Sequence, residues 1–179
     1  MLEEIIVAGS GGQGALVLGE VLAIAAIYRG QNATWLPSYG PEMRGGTANC
    51  SVVLASEDIA SPVVEAPTVA ICLNQPSLNK FGPIVRNGGL VIANDDTIET
   101  YPELPGVEVI RVKGNSLAAE LENPKVLNMV VLGALLKKRP VVDREHVVCA
   151  MEHIWGKERA QKLLPLNLRA IESGWTAVE

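Results

Sequence analysis

The stretch that decides the fold is Gly9-Ser10-Gly11-Gly12-Gln13-Gly14, between the apolar run Ile5-Ile6-Val7-Ala8 and a helical pattern from Ala15 to Ile27. This order predicts a buried strand over 3–8, a tight glycine turn, and a helix over about 13–29. Glycines permit positive φ angles and a close approach of the backbone. The free N–H groups at the start of the helix favour an anion beside the turn.

The three glycines Gly9, Gly11 and Gly14 match the dinucleotide-binding pattern G-x-G-x-x-G. Such a site also needs an acidic residue about 20 positions later, which binds the ribose 2′-hydroxyl. The second apolar segment, Gln31 to Ser38, contains no Asp or Glu, and no arginine of the NADP type ends it. A standard nicotinamide site is therefore disfavoured. A second interpretation is also possible: the glycine turn only lets the first helix pack close to the sheet and binds no ligand.

The composition favours one α/β domain spanning residues 1–179. Apolar residues make up 48% of the chain and aromatic residues only 4%, so the core is expected to consist of Val, Leu, Ile and Ala. A core of small and branched aliphatic residues is typical of a parallel sheet that is buried on both faces. The net charge of −5 argues against nucleic acid and anionic membranes as ligands. We expect a cytoplasmic protein, because no signal peptide or membrane span is recognisable.

The potential metal ligands and nucleophiles are scattered. Cys50, Cys72 and Cys149 show no metal-binding spacing and are expected to be buried, inert thiols. His146 and His153 are seven residues apart, too far for a metal pair on one helix turn, and are expected to be partly exposed. The sequence thus predicts no metal site. It also contains no recognisable catalytic triad and no P-loop lysine.

Apolar runs separated by glycine and proline define the remaining elements. Strands are predicted over 33–36, 47–55, 67–73, 90–94 and 107–112, with an edge segment over 59–64. Helices are predicted from Pro76 through Val85, over 116–121, from Pro124 through Leu136, from Asp143 through Trp155, and over 157–164 and 166–174. The first strand–helix–strand unit predicts a right-handed crossover joining parallel strands.

A second informative loop is Pro37-Ser38-Tyr39-Gly40-Pro41-Glu42-Met43-Arg44-Gly45-Gly46. Its two prolines and three glycines argue against a helix or a strand in this stretch. Because it follows the second strand, it is expected at the same sheet edge as the glycine loop, where ligands and partners of open α/β sheets gather. Glu42 and Arg44 could pair with each other or contact a partner or an anion. The simpler alternative is that this loop only connects two strands, is exposed to solvent, and carries Glu42 and Arg44 as an incidental charge pair.

Four motifs in order resemble the gamma subunits of 2-oxoacid:ferredoxin oxidoreductases. These are the glycine loop, the signature Y-G-x-E-x-R-G-G within Ser38–Thr47, Ser61-Pro62, and Asn74-Gln75-Pro76-Ser77. The similarity covers roughly the first 140 residues. Corresponding domains also occur fused in pyruvate:ferredoxin oxidoreductase and in indolepyruvate oxidoreductase.

The resemblance implies a three-layer α/β/α sandwich with a largely parallel, Rossmann-like sheet and a helical C-terminal end. It also implies a complex that converts a 2-oxoacid and coenzyme A to acyl-CoA and CO₂ while reducing ferredoxin. This chain would be an accessory subunit without a cofactor, inactive alone. Thiamine diphosphate and Mg²⁺ would belong to alpha and beta subunits, and iron–sulfur clusters to a beta or delta subunit. Pyruvate, 2-oxoglutarate and branched-chain substrates all remain open.

The resemblance assigns roles to both loops, neither of them catalytic. One set forms a subunit-contact loop: Tyr39, Glu42, Met43, Arg44, Gly45 and Gly46. The other forms an anion-binding or cofactor-proximal loop: Gly9, Ser10, Gly11, Gly12, Gln13 and Gly14. Two alternatives use the glycine loop, a stand-alone dinucleotide-binding oxidoreductase and an anion-binding module. For the isolated chain a homodimer also remains open.

Overall fold

The computed structural model describes residues 1–39 and 47–178. Within these residues the strands are β1 Leu2–Ser10, β2 Asn32–Tyr39, β3 Thr47–Ala55, β4 Val69–Cys72, β5 Leu90–Asn94 and β6 Glu108–Val112. The α-helices are α1 Ala15–Tyr28, α2 Gln75–Phe81, α3 Gly114–Glu120, α4 Leu127–Lys138, α5 Arg144–Trp155 and α6 Lys157–Thr176.

The six strands form one sheet in the order β2-β3-β1-β4-β5-β6. β3 runs antiparallel to both of its neighbours, and every other pair of adjacent strands is parallel. The predicted α/β fold with a largely parallel sheet is confirmed. β1 and β2 point in the same direction, as the crossover predicts, but they are not neighbours. β3 returns from the end of β2 and occupies the position beside β1.

The two faces of the sheet are covered unequally. On the first face, Ile5, Ile71 and Ile92 are fully buried in the main core, to which α1, α4, α5 and α6 all contribute. On the second face, Ala70 and Val91 pack with residues of α2 and of the irregular segments around it. Aliphatic residues dominate both cores, which explains how the sheet is buried with so few aromatic side chains.

Two glycines let α4 and α6 pack with their backbones in contact. A Cβ atom added at Gly133 would lie 2.0 Å from the Ile171 carbonyl oxygen. One added at Gly174 would lie 1.7 Å from the carbonyl oxygen of Val130. Both distances are far below van der Waals contact, so each position tolerates only glycine. Gly133 and Gly174 thus allow the two helices to approach closely.

The segment 59–64 is not a strand, so that prediction was wrong. It is irregular, and it covers the second face of β1 and β3, where Val64 packs against Ile6 and Val53. Pro62 lacks the N–H group that a strand would use for pairing. Ile59 and Val64 are instead held by side-chain packing, whereas Val63 is exposed.

The two helices predicted at the C-terminal end are a single helix, α6, with Pro165 in its interior. A proline removes one main-chain hydrogen bond, and for that reason it usually ends a helix. Here Pro165 and Gln161, four residues before it, are exposed, so water can solvate the carbonyl group left free. Packing of Ala170 and Ile171 in the core holds the second half of the helix in line.

Candidate functional site

The glycine loop is closed by its own side chains. Gln13 Oε1 accepts a hydrogen bond from the Ser10 N–H at 2.7 Å, and Gln13 Nε2 donates to the Leu73 carbonyl oxygen at 2.9 Å. Gly9 permits this arrangement, because an added Cβ would lie 2.8 Å from Gln13 Oε1 and 3.0 Å from Leu73 Cβ. Gly14 has φ +78° at the start of α1, a conformation that glycine adopts without strain. Gln13 thus fills the space enclosed by the turn.

The Leu73 carbonyl, just after β4, joins the glycine loop to the next strand. Besides Gln13, it accepts hydrogen bonds from Thr97 Oγ1 at 2.8 Å and from Asn94 Nδ2 at 3.3 Å. Asn94 is fully buried at the end of β5, and its Nδ2 also donates to Asn115 Oδ1 at 2.7 Å. The ends of β1, β4 and β5 are therefore tied together by neutral amides, hydroxyls and main-chain groups.

Asn74 connects this network to α2. Its Nδ2 donates to Ser10 Oγ at 2.7 Å, and its Oδ1 accepts from the Ser77 N–H at 3.0 Å, which caps the helix. The sequence motifs predict a helix here, but they do not single out Asn94 and Thr97. The available signal was an asparagine at the end of each of two apolar runs, Asn74 and Asn94. Neutral groups such as these orient a loop, but they do not transfer protons near neutral pH.

The second loop begins and ends at the same edge of the sheet as the glycine loop. Ser10 pairs with Thr47 at the start of β3, and Tyr39 at the end of β2 pairs with Ala48. The regular part of β2 continues through Pro37 and Ser38, which were expected to be loop residues. Glu42, Met43, Arg44, Gly45 and Gly46 lie outside the described residues, as does the side chain of Tyr39.

Charged groups near this edge are engaged in structural contacts. Asp95 accepts a hydrogen bond from the Tyr101 hydroxyl at 2.6 Å, and Asp96 accepts from the Ser116 N–H and hydroxyl, both at 2.8 Å. The Arg111 guanidinium lies 3.8 Å from the centre of the Tyr101 ring. Burial and the neighbouring Asp95 raise the pKa of the Tyr101 phenol above its usual value. The two aspartates therefore help to hold the turn after β5 in place.

Two of the three cysteines are buried, as predicted, and Cys149 is half-buried. Burial raises the pKa of the Cys50 thiol to about 11 and that of Cys72 to about 12, so both are unreactive near neutral pH. In residues 1–39 and 47–178, no three His, Cys, Asp or Glu side chains come together in a way that could hold a metal ion. No helix in the same ranges is long and apolar enough to span a membrane.

The comparisons with known proteins agree with this fold. The family model for pyruvate ferredoxin/flavodoxin oxidoreductase matches residues 4–177. The chain belongs to this family. The resemblance seen in the sequence motifs is confirmed, and the match extends through the helical C-terminal end.

Two curated relatives show different lengths. The 2-oxoglutarate synthase subunit KorC of Methanocaldococcus jannaschii is 34% identical over 179 residues, covering 98% of this chain and 93% of KorC. The ketoisovalerate oxidoreductase subunit VorA of Methanothermobacter thermautotrophicus is 37% identical over 177 residues, covering 94% of this chain. The chain spans only 35% of the length of VorA.

A solved structure of the same family has the same architecture. The gamma subunit of a keto/oxoacid ferredoxin oxidoreductase from Geobacter sulfurreducens superposes with a TM-score of 0.81 and is 26% identical. The alignment covers 98% of this chain and 97% of that subunit. The family fold is therefore shared along almost the whole chain.

Proposed function

We propose that this chain is the gamma subunit, or the equivalent gamma domain, of a 2-oxoacid:ferredoxin oxidoreductase. The complex would oxidise a 2-oxoacid with coenzyme A to acyl-CoA and CO₂ and reduce ferredoxin. The chain itself would be an accessory component of a cytoplasmic complex, inactive alone. Family membership and the nearly full-length match to KorC support this assignment.

The observation that carries the accessory role is the closed glycine loop. In a dinucleotide-binding loop, the backbone N–H groups of the turn must be free to approach a pyrophosphate. Here one of these groups, the Ser10 N–H, is occupied by Gln13, and the Gln13 amide is itself held by Leu73. The antiparallel strand β3 also separates β2 from β1, so the end of β2 is about 10 Å from β1. Both features disfavour the stand-alone dinucleotide enzyme.

The two loops would form one contact surface for the catalytic subunits. Tyr39, Glu42, Met43, Arg44, Gly45 and Gly46 would make the subunit contact, and Gly9, Ser10, Gly11, Gly12, Gln13 and Gly14 would shape the adjoining edge near an anionic group. The position of Ser10 beside Thr47 supports this arrangement, because the glycine loop leaves β1 next to the point where the second loop enters β3. Rigid neighbours such as Asn74 would hold the surface in its binding conformation before assembly.

The cofactors are assigned to the partner subunits. Thiamine diphosphate with Mg²⁺ would lie in the alpha and beta subunits, and iron–sulfur clusters in a beta or delta subunit, from which ferredoxin is reduced. In the part of the chain that the structure describes, no three His, Cys, Asp or Glu side chains lie together, which supports assigning the iron–sulfur clusters to partner subunits. Its polar edge network consists of neutral groups, which suits a supporting surface better than a proton-transfer site.

Affinity purification of the tagged chain from its native host tests the proposal. We expect thiamine-containing subunits to copurify and the complex to reduce ferredoxin or a viologen dye with a 2-oxoacid and coenzyme A. Pyruvate, 2-oxoglutarate and 2-oxoisovalerate should be compared as substrates. Turnover by the chain alone, or purification without any thiamine-containing partner, would contradict the proposal. Saturable micromolar binding of NAD(H), NADP(H) or FAD to the chain would support the dinucleotide alternative instead.

A further inference from the structure

The outward side of α1, the helix that packs on β1, β2 and β3, is apolar. Eight of the 14 residues of α1 are buried. The other six point away from the core and form a surface that we call the α1 stripe: Leu16, Val17, Glu20, Ile24, Ile27 and Tyr28. Ile27 is 58% exposed and Tyr28 is 48% exposed. A helix that is apolar on every side is normally buried in a protein interior.

The outward side of α6 shows how a solvated helix of the same protein is composed. It carries six charged residues, all of them exposed: Lys157, Glu158, Arg159, Lys162, Arg169 and Glu172. A polar outward side of this kind is typical of a helix that faces water. The α1 stripe has one charged residue, Glu20, among its six. This contrast indicates that another protein surface covers α1 in the functional assembly.

Glu20 restricts what this covering surface can be. It is half-buried near the middle of α1. In residues 1–39 and 47–178, no Lys, Arg or His nitrogen lies within 4.0 Å of its carboxylate. A surface that covers the α1 stripe removes further water from Glu20, which costs free energy unless a cation pairs with the carboxylate. The occupant should therefore be apolar and carry a Lys or Arg opposite Glu20.

A second copy of this chain does not meet that requirement. A two-fold interface brings the same surface of both copies together. If it buried the whole α1 stripe, its axis would pass near the middle of the helix, and the two Glu20 carboxylates would lie within about one helical turn of each other. Two like charges in a desolvated interface oppose assembly. The charge pattern therefore favours a different protein as the occupant.

We propose that the α1 stripe binds a catalytic subunit of the oxidoreductase, through an apolar surface that carries a Lys or Arg opposite Glu20. This inference rests on the function proposed above. The stripe begins two residues after Gly14, so it continues directly from the glycine loop. From Leu16 to Ile27 it extends that contact surface by about 17 Å along the first face of the sheet. A subunit that contacts the loops would thereby also cover α1.

Copurification of partner subunits with tagged variants from the native host tests this surface. Ile27→Lys places a charge in the exposed part of the stripe, and Glu20→Lys reverses the charge that the cation of the partner would neutralise. We expect each variant to lower the recovery of thiamine-containing subunits at least about fivefold. The matched controls are Val63→Lys, at a position that is 56% exposed in the segment 59–64, and Glu158→Lys on α6. Both controls should match wild type.

Photo-crosslinking identifies the occupant directly. A benzophenone amino acid in place of Tyr28 should link this chain to a thiamine-containing subunit within the complex. A crosslinked product of two copies of the chain would overturn the proposal. Full recovery of partners by both Ile27→Lys and Glu20→Lys, with circular dichroism showing that both are folded, would overturn it while leaving the proposed function intact. A wild-type chain that purifies without any partner contradicts the proposed function, and this inference with it.

Discussion

Gln13 Nε2 lies 2.9 Å from the carbonyl oxygen of Leu73, a residue 60 positions later in the chain. This hydrogen bond fixes the glycine loop after β1 to the end of β4. The same side chain accepts the Ser10 N–H, so one residue sets both the internal shape of the turn and its position on the sheet. These two hydrogen bonds hold the loop in its observed conformation.

Replacing Gln13 tests how strongly this side chain stabilises the fold. Gln13→Ala removes the acceptor for the partly buried Ser10 N–H and one donor to the Leu73 carbonyl. We expect the free energy of unfolding, measured by urea titration, to fall by about 1–3 kcal/mol. Gln161→Ala, at an exposed position on α6, is the control and should change it by less than about 0.5 kcal/mol. Equal effects would show that the loop hydrogen bonds contribute little.

The contact between α4 and α6 predicts that Gly133 cannot be replaced. Gly133→Ala would place a Cβ atom 2.0 Å from the Ile171 carbonyl oxygen and force the helices apart. We expect a loss of about 2 kcal/mol or more, visible as a lower midpoint in thermal unfolding. At Gly30, where φ is +84° and an added Cβ meets nothing within 4 Å, alanine should cost only about 1 kcal/mol. Similar losses at both positions would contradict this account.

Alkaline pH should destabilise the protein through Cys50. Its pKa is raised from 9.0 to about 11 by burial, so the folded state disfavours the thiolate. Below pH 9 the Cys50 thiol is protonated in both the folded and the unfolded chain, so Cys50 does not lower the free energy of unfolding. Between pH 9 and 11 only the unfolded state ionises, so the free energy of unfolding falls by up to about 1.4 kcal/mol per pH unit. Cys50→Ala should reduce this slope in urea titrations at pH 8, 9, 10 and 11 under reducing conditions.

The slope is the quantity to compare in that experiment, because Cys50→Ala also leaves a small cavity that lowers stability at every pH. Cys72→Ala should reduce the slope in the same way, since burial raises the pKa of Cys72 to about 12. If the free energy of unfolding falls with pH as steeply in both variants as in wild type, the loss of stability at alkaline pH comes from other groups.

Arg44→Ala tests the proposed subunit-contact loop. We expect the variant to fold normally but to recover less of the partner subunits in pull-down, with at least a tenfold loss of affinity if Arg44 is buried in the interface. 2-Oxoacid turnover by the reconstituted complex should fall in parallel. The control is Arg169→Ala, an exposed cation on α6. Unchanged copurification and turnover for Arg44→Ala would contradict the assigned role.

Most secondary structure was predictable because its signals are local. Ile5 to Ala8 and Leu90 to Ala93 are apolar runs of strand length, and both are buried strands. Asn74 with Pro76 predicted the start of α2, which the structure places one residue before the proline. The errors arose where packing overrode local preference. Pro165 did not end α6, and the segment 59–64 packs through side chains without strand pairing.

The sequence by itself determined the α/β class, the glycine turn before α1 and the family, because residue type, spacing and periodicity encode local conformation directly. Only the tertiary structure decided that β3 inserts antiparallel between β2 and β1, and that Gln13 reaches Leu73 to close the loop. Strand order and side-chain contacts join residues far apart in the chain. They depend on which surfaces bury each other best, and no short stretch of sequence contains that information.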